Sequence, residues 1–354
     1  MPISIIVQQH ALLRNVVQRR LQSRRPAGSI FSTCALLLTV TASSSSVAAM
    51  STHTGRKVID SHLHVWANSL EAANGFPYVD QDPPASLQNL ASTEELVKRM
   101  EDAKVDGTLI VQPINHKFDH SYVLKAMKLH PAKFKGMYLH DPSLSAEEAV
   151  TKLEDFALQG FVGVRFNPYL WPKIGDASWS PMSEGAGLAV YKRCAELNMP
   201  VGIMCFQGLD KHYDDILHLI AASPDTCLIL DHFGFTGLDE AGNAAFADLL
   251  KLAKFPNVII KISAVFRLKD EFPFERVKEE RFLPLLQTFG ADRLMFGTDF
   301  PYVLEQHPDG YQGIVQLMAS WIPENDRDQI MGGTAERVFD HWGEPVAKPK
   351  DEEL

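Results

Sequence analysis

Cysteine is scarce in this chain and poorly spaced for its usual structural work. Only 4 occur in 354 residues, at Cys34, Cys194, Cys205 and Cys227, and no two form a C-x-x-C pair. That excludes a disulfide framework and argues against a thiolate zinc site. Long hydrophobic runs are also missing: the apolar stretch 30–42 falls short of the about 20 residues needed to cross a bilayer. No glycine-rich turn follows an early apolar segment, which counts against an open doubly wound sheet holding a dinucleotide. Positive charge is the minority sign, with 34 Lys and Arg against 44 Asp and Glu and a net charge of −10. Neither a nucleic acid nor a membrane surface is an expected partner for such a chain. What is present, 45% hydrophobic and 22% charged residues, suits a folded protein with a sizeable core.

The shortage of acid is sharpest at the start. No Asp or Glu precedes Asp60, while Arg14, Arg19, Arg20, Arg24 and Arg25 all fall before Met50. Apolar residues at helical spacing (Ile5, Ile6, Leu12, Leu13, Val16, Val17) complete the pattern of an organelle transit peptide. Ser43 to Ser46, followed by Val47-Ala48-Ala49, favour a plastid over a mitochondrion. A secretory or twin-arginine signal and a start at Met50 are the competing readings. The expected organisation is a leader over 1–49, one domain over 50–345 and an acidic tail over 346–354. The tail ends in Lys350-Asp351-Glu352-Glu353-Leu354, one Glu too many for an ER-retention signal.

After the leader, short β-branched runs alternate with amphipathic segments. Strands are expected over 57–66, 107–113, 134–141, 161–167, 200–206, 226–234, 257–265 and 293–299. Helices are expected over 92–103, 121–130, 146–159, 188–197, 213–222, 244–252, 281–289 and 312–321. Strand-then-helix in this repetition predicts an α/β fold, a (β/α)8 TIM barrel, with the long stretch 67–90 as a loop over its mouth.

Alternation along the first strand puts His62 and His64 on one face with Val58 and Asp60. In a parallel barrel, inward residues at the strand C-termini face the reaction site. That rule collects Gln112, His140 or Asp141, Arg165, Asn167, His232, Lys261, Ser263 and Asp299 at one end. Such a set is costly to bury without a use, since buried charges must be paired or solvated. Lys261 has a purely structural alternative as the ion-pair partner of Asp60 deeper in the barrel.

Five motifs then carry a resemblance. Val58-Ile59-Asp60-Ser61-His62-Leu63-His64-Val65-Trp66, Gly163-Val164-Arg165-Phe166-Asn167, Leu230-Asp231-His232-Phe233-Gly234, Lys261-Ile262-Ser263 with Arg267, and Phe296-Gly297-Thr298-Asp299-Phe300-Pro301 occur in this order. Together they resemble the amidohydrolase-related family over roughly 57–339, leaning to its sugar-lactone and pyrone-dicarboxylate lactonase branch. The resemblance implies a metal-dependent-hydrolase-like TIM barrel, a catalytic Asp at Asp299 and, in metal-using members, ligands from strands one and five. Met204 stands where those members place the strand-five His, and Arg165 excludes a bridging carboxylated lysine. The cofactor expectation is therefore none, or one divalent ion (Zn or Mn) on His62, His64 and Asp299.

The function expected on these grounds is hydrolysis of a lactone or similar cyclic ester of a small carboxylic acid. His62, His64, His232 and Asp299 would be catalytic, with Asp299 as general base. Gln112, Arg165, Asn167, Ser263 and Arg267 would bind a small anionic substrate, the arginines as forks on its carboxylate. The alternatives are a metal-dependent nonhydrolytic decarboxylase and a catalytically lapsed barrel that binds small acids.

Overall fold

The computed structural model describes residues 57–79, 81–174 and 178–343. The leader expected over 1–49 and the tail over 346–354 lie outside the described residues. Eight strands form one sheet: β1 (Ile59–Leu63), β2 (Gly107–Val111), β3 (Phe134–Leu139), β4 (Gly163–Phe166), β5 (Val201–Ile203), β6 (Leu228–Leu230), β7 (Val258–Ile262) and β8 (Leu294–Phe296). Every neighbouring pair is parallel and strand order follows the chain. A parallel bridge between Leu63 and Phe300 closes the ring. The closing hydrogen bonds are Asp299 N–H to the His62 carbonyl, 2.8 Å, and His64 N–H to the Phe300 carbonyl, 2.7 Å. The seam of the barrel therefore brings the expected base beside the two expected histidines. The barrel is the expected fold class.

The helices between the strands start and stop where local chemistry directs. Ser92 caps Thr93–Ala103 by accepting from the Glu95 N–H, and Ser145 with Glu148 forms a capping box on Ala146–Leu158. Strands are shorter than expected at their C-terminal ends, where apolar residues continue into turns that aim side chains over the mouth. The expected helix over 281–289 is also altered: it begins inside a wide turn over Lys278–Phe282, and Arg281 is buried, donating to the Thr236 and Gly237 carbonyls. Among the described residues, no helix is long and apolar enough to cross a membrane.

Inside the barrel, Ile59, Leu109, Met137, Ile229, Ile259 and Met295 form a buried apolar cluster. It is closed from below by a helix absent from the expected set, Thr334–Phe339, whose Val338 and Phe339 pack into it together with Trp342. Gly107 is required there, because a Cβ would lie 2.3 Å from the Trp342 ring.

The expected face of β1 is corrected by a register shift between Asp60 and Leu63. Ile59 packs into the inner cluster, while Asp60 bonds Thr298 and the Tyr311 hydroxyl on the outer helix Gly310–Trp321. His62 and His64 thus face the barrel mouth without Asp60 beneath them. A bulge adds a residue to one strand and reverses the alternation beyond it. The proposed Lys261–Asp60 pair is replaced accordingly: Lys261 sits 3.4 Å from Asp231.

Candidate active site

At the C-terminal ends of the strands, Asp299 Oδ1 lies 3.9 Å from His62 Nε2, 3.5 Å from His64 Nε2 and 3.8 Å from His232 Nε2. All four residues are buried. Asp299 and His232 have φ of 61° and 52°, in the left-handed region that costs an L residue on the order of 1 kcal/mol or more. Gly297 lets β8 approach this closely, since a Cβ would stand 2.9 Å from the His62 Cβ.

The ring nitrogens behind the site fix how each histidine faces it. His64 Nδ1 is 2.8 Å from the Val111 carbonyl, which only accepts, so Nδ1 carries a proton. His62 Nδ1 is 3.1 Å from Asp231 Oδ1, and burial holds the imidazole well below its usual pKa, hence neutral. Lys261 Nζ, which only donates, lies 3.3 Å from the same Nδ1; when the ring donates to Asp231, its Nε2 lone pair faces Asp299. His232 Nδ1 is 2.8 Å from the Ser263 hydroxyl, which serves either tautomer. Burial pushes His232 down to about 3, against the opposing pull of Asp299 and Asp231.

Beneath these rings lies a buried charge network. Asp231 is 3.1 Å from His62, 3.4 Å from Lys261 and 3.2 Å from Arg165 Nε. Burial would raise its carboxyl, but His62, Lys261 and Arg165 hold it well below the usual carboxylate range. Asp299 is kept ionised in the same way: burial would raise it, but the Arg267 guanidinium holds it well below the usual carboxylate range. Arg267 Nε pairs with Asp299 Oδ2 at 2.8 Å. Arg267 thus bonds a carboxylate through Nε, whereas Arg165 Nε is in ion-pair reach of Asp231 without a hydrogen bond.

A cavity of about 340 Å³ opens above, walled by His64, His232 and Asp299, by Gln112, Arg165, Asn167 and Arg267, and by apolar Ile114, Leu139, Met204, Phe206, Phe235 and Tyr302. Its size suits a small ligand, at the low end of the roughly 300–1,000 Å³ range of such sites. Of the residues expected to bind substrate, Gln112 reaches the cavity but spends its amide N–H groups on the Lys117 and Asp119 carbonyls. Asn167 reaches it while its Oδ1 accepts from the Tyr169 N–H. Ser263 is corrected: it stands behind His232, outside the cavity wall. His140 is likewise not at the mouth; it faces outward between Phe166 and Trp171. Sequence reasoning gave Asp231 no role, although its place in Leu230-Asp231-His232, one residue before a site histidine, was a usable signal.

Several polar atoms here are buried without a hydrogen-bond partner: His62 Nε2, Asp299 Oδ1, Arg165 Nε, Asp231 Oδ2 and Gln112 Oε1. Ligand atoms of His62, His64 and Asp299 lie within 4.8 Å of one another. Two imidazole nitrogens and one carboxylate oxygen suit a borderline divalent ion such as Zn²⁺ or Mn²⁺, with further positions left for water or substrate. The donor set therefore fits a single metal ion, and Met204, a soft thioether in the cavity wall, adds no donor of that class.

Residues 59–341 match the family model described as Amidohydrolase. L-fucono-1,5-lactonase of Burkholderia multivorans is 28% identical over 162 residues, which cover 39% of this chain and 54% of that enzyme. The chain thus aligns with about half of that relative's length. A solved structure from Pseudomonas putida, whose name is 2-pyrone-4,6-dicarboxylic acid hydrolase, shares 21% identity at a TM-score of 0.64, covering 80% of this chain and 97% of that one. An amidohydrolase from Burkholderia multivorans with bound zinc shares 19% identity at a TM-score of 0.59, covering 80% and 99%. At these identities the structural matches speak for the fold.

Proposed function

The chain belongs to the amidohydrolase family, and from that premise we propose that it hydrolyses the cyclic ester of a small carboxylic acid, with Asp299 as the base. The observation that carries this reading is the convergence of three histidine Nε2 atoms on one unpartnered Asp299 oxygen at the base of a cation-rich cavity. Support for a lactone comes from the names of the relatives, an L-fucono-1,5-lactonase and a pyrone-dicarboxylic acid hydrolase.

Asp299 accepts the proton of the attacking water through Oδ1 while Arg267 fixes Oδ2. The same pairing makes Asp299 a weak base that stays ionised at neutral pH. A divalent ion on His62, His64 and Asp299 would polarise the lactone carbonyl and make water a better nucleophile, offsetting that weakness. His232, neutral and backed by Ser263, donates through Nε2 to the developing oxyanion when the serine hydroxyl donates to Nδ1. Arg165 offers its Nη edge to the substrate carboxylate, and Gln112 and Asn167 border the ring. Locally Arg165, Arg267 and Lys261 outnumber Asp231 and Asp299, so the cavity attracts an anion inside an acidic protein.

Proton release from a panel of lactones, run on the purified full chain beside metal analysis, tests this. Ring opening by the wild type, with metal content lowered in His62→Ala, is the expected result. Absence of turnover across the panel removes the reading. The segment 1–49 is read as a plastid transit peptide, and a fluorescent fusion of it that stays outside plastids would remove that part.

A further inference from the structure

The 340 Å³ cavity does not end at its mouth. A second space of about 370 Å³ shares Phe206, Phe235, Arg267 and Tyr302 with it and adds Phe266, Glu305 and Gln306. The two are inner and outer lobes of one site, and four rings wall the outer lobe. Phe206 is 56% exposed, an unusual state for a phenylalanine. Its loop is nevertheless held: the Tyr169 hydroxyl accepts from the Gln207 N–H at 2.6 Å, and the Gly208 N–H bonds the Cys205 carbonyl at 2.8 Å. Phe206 meets Phe235 edge-on at 5.6 Å, and Phe235 meets His232 edge-on at 5.0 Å. A run of rings therefore leads from the reacting centre to solvent.

The polar groups of the outer lobe narrow what it takes. Arg267 is its cation, but it is already paired with Asp299 and lies over the Tyr302 and Phe266 rings at 4.8 and 5.4 Å. Glu305 adds negative charge at the rim, where it bonds Ser86. A second carboxylate there would meet a neutralised cation and a repelling anion. A sugar ring stacks on such rings through its C–H face but also needs partners for its hydroxyls, and Arg267 and Glu305 are already bonded to Asp299 and Ser86. A flat apolar group gains contact area and edge-to-face packing without that cost.

We infer that the substrate is a lactone bearing an aromatic substituent, its ester ring in the inner lobe and the aryl ring between Phe206, Phe235, Phe266 and Tyr302. The inference rests on the lactone-hydrolase reading for the reaction, and on the outer lobe alone for the ring. In the reaction the water oxygen bonds to the acyl carbon, the acyl–oxygen bond of the ring breaks, and a water proton ends on the released alkoxide.

The test compares γ-phenyl-γ-butyrolactone with γ-butyrolactone, whose ester groups are alike, on wild type, Phe206→Ala and Phe206→Trp. Binding of the ring-opened acids, 4-hydroxy-4-phenylbutanoate and 4-hydroxybutanoate, is measured by calorimetry in parallel. The wild type is expected to favour the phenyl lactone in kcat/KM by about tenfold. Phe206→Ala should collapse that ratio and Phe206→Trp should retain it. Hydrolysis of both lactones with a ratio near one, or a ratio unmoved by Phe206→Ala, overturns the aryl inference and leaves the hydrolase reading standing. If neither lactone is opened, the wider lactone panel decides the hydrolase reading, and calorimetry decides the aromatic subsite. Tighter binding of the phenyl acid that is lost in Phe206→Ala supports the aromatic subsite; equal or absent binding of the two acids overturns it.

Discussion

The two ends of the barrel are built from the same strands and obey opposite rules. At the lower end Ile59, Leu109, Met137, Ile229, Ile259 and Met295 fill the interior, and Val338, Phe339 and Trp342 seal it. Two residues further along β6 and β7, the inward positions become Asp231 and Lys261. The lower end satisfies itself by packing, whereas the upper end leaves His62 Nε2 and Asp299 Oδ1 buried without partners. Unsatisfied buried polar atoms cost about 1–3 kcal/mol each, so their concentration at one end marks where stability has been given up for binding. The network around Asp231 shows an intermediate design, in which one buried carboxylate is neutralised by Lys261 and Arg165 and bonded by a neutral His62.

Substitutions at the two ends should separate activity from stability. Asp299→Asn is expected to lower kcat/KM for an accepted lactone by about 10³-fold while the circular dichroism spectrum and melting transition persist. Retained turnover in that variant would break the contrast at its upper end. Asp231→Leu strands Lys261 and Arg165 without their carboxylate, and a loss of roughly 3–5 kcal/mol in urea unfolding is expected. Adding Lys261→Met should restore part of that loss; a double variant less stable than Asp231→Leu alone would count against a closed network. Phe339→Ala removes a ring from the lower seal and should cost about 3 kcal/mol, with kcat/KM within twofold of wild type. A large fall in kcat/KM measured below the melting transition would show that the two ends are coupled.

A further contrast lies in the pH dependence of stability. Burial lowers His120 and His140 to about 4 and His232 to about 3. Between those values and the ordinary histidine pKa the unfolded chain takes up protons that the folded chain refuses. Stability is fully present above about 6.5 and is lost as pH falls toward 4. Asp60 opposes this, since burial raises it to about 6 and its contribution is lost as pH rises through that value. His62, His116, His212 and His307 are lowered by burial as well, so urea midpoints should fall from pH 7 to pH 4.5; a rise over that window contradicts the assignment.

Much of this was legible in the sequence because it is periodic or local. Eight strand–helix units and the positions of His62, His64, Arg165, His232 and Asp299 near strand ends follow from alternation and length. What escaped depends on contacts distant in the chain. The β1 irregularity is set by pairing with β2 and the closing bridge to Phe300, so Asp60 was placed on the wrong face. Ser263 reads like a substrate contact until His232 is seen to cover it. Arg267 reads as a free fork until its Nε is found on Asp299. The closing helix Thr334–Phe339 is short, and only the open lower end of the barrel explains why it exists.

The proposed reaction is the opening of an ester ring, at the upper end of this barrel, by water held at Asp299. Mass spectrometry of lactones incubated with the full chain in oxygen-18 water tests it most directly. A hydroxy acid carrying one oxygen-18 atom, formed by the wild type and absent with Asp299→Asn, is the predicted result. Release of carbon dioxide from aryl acids with no ring opening, or equal labelling by both proteins, would contradict it.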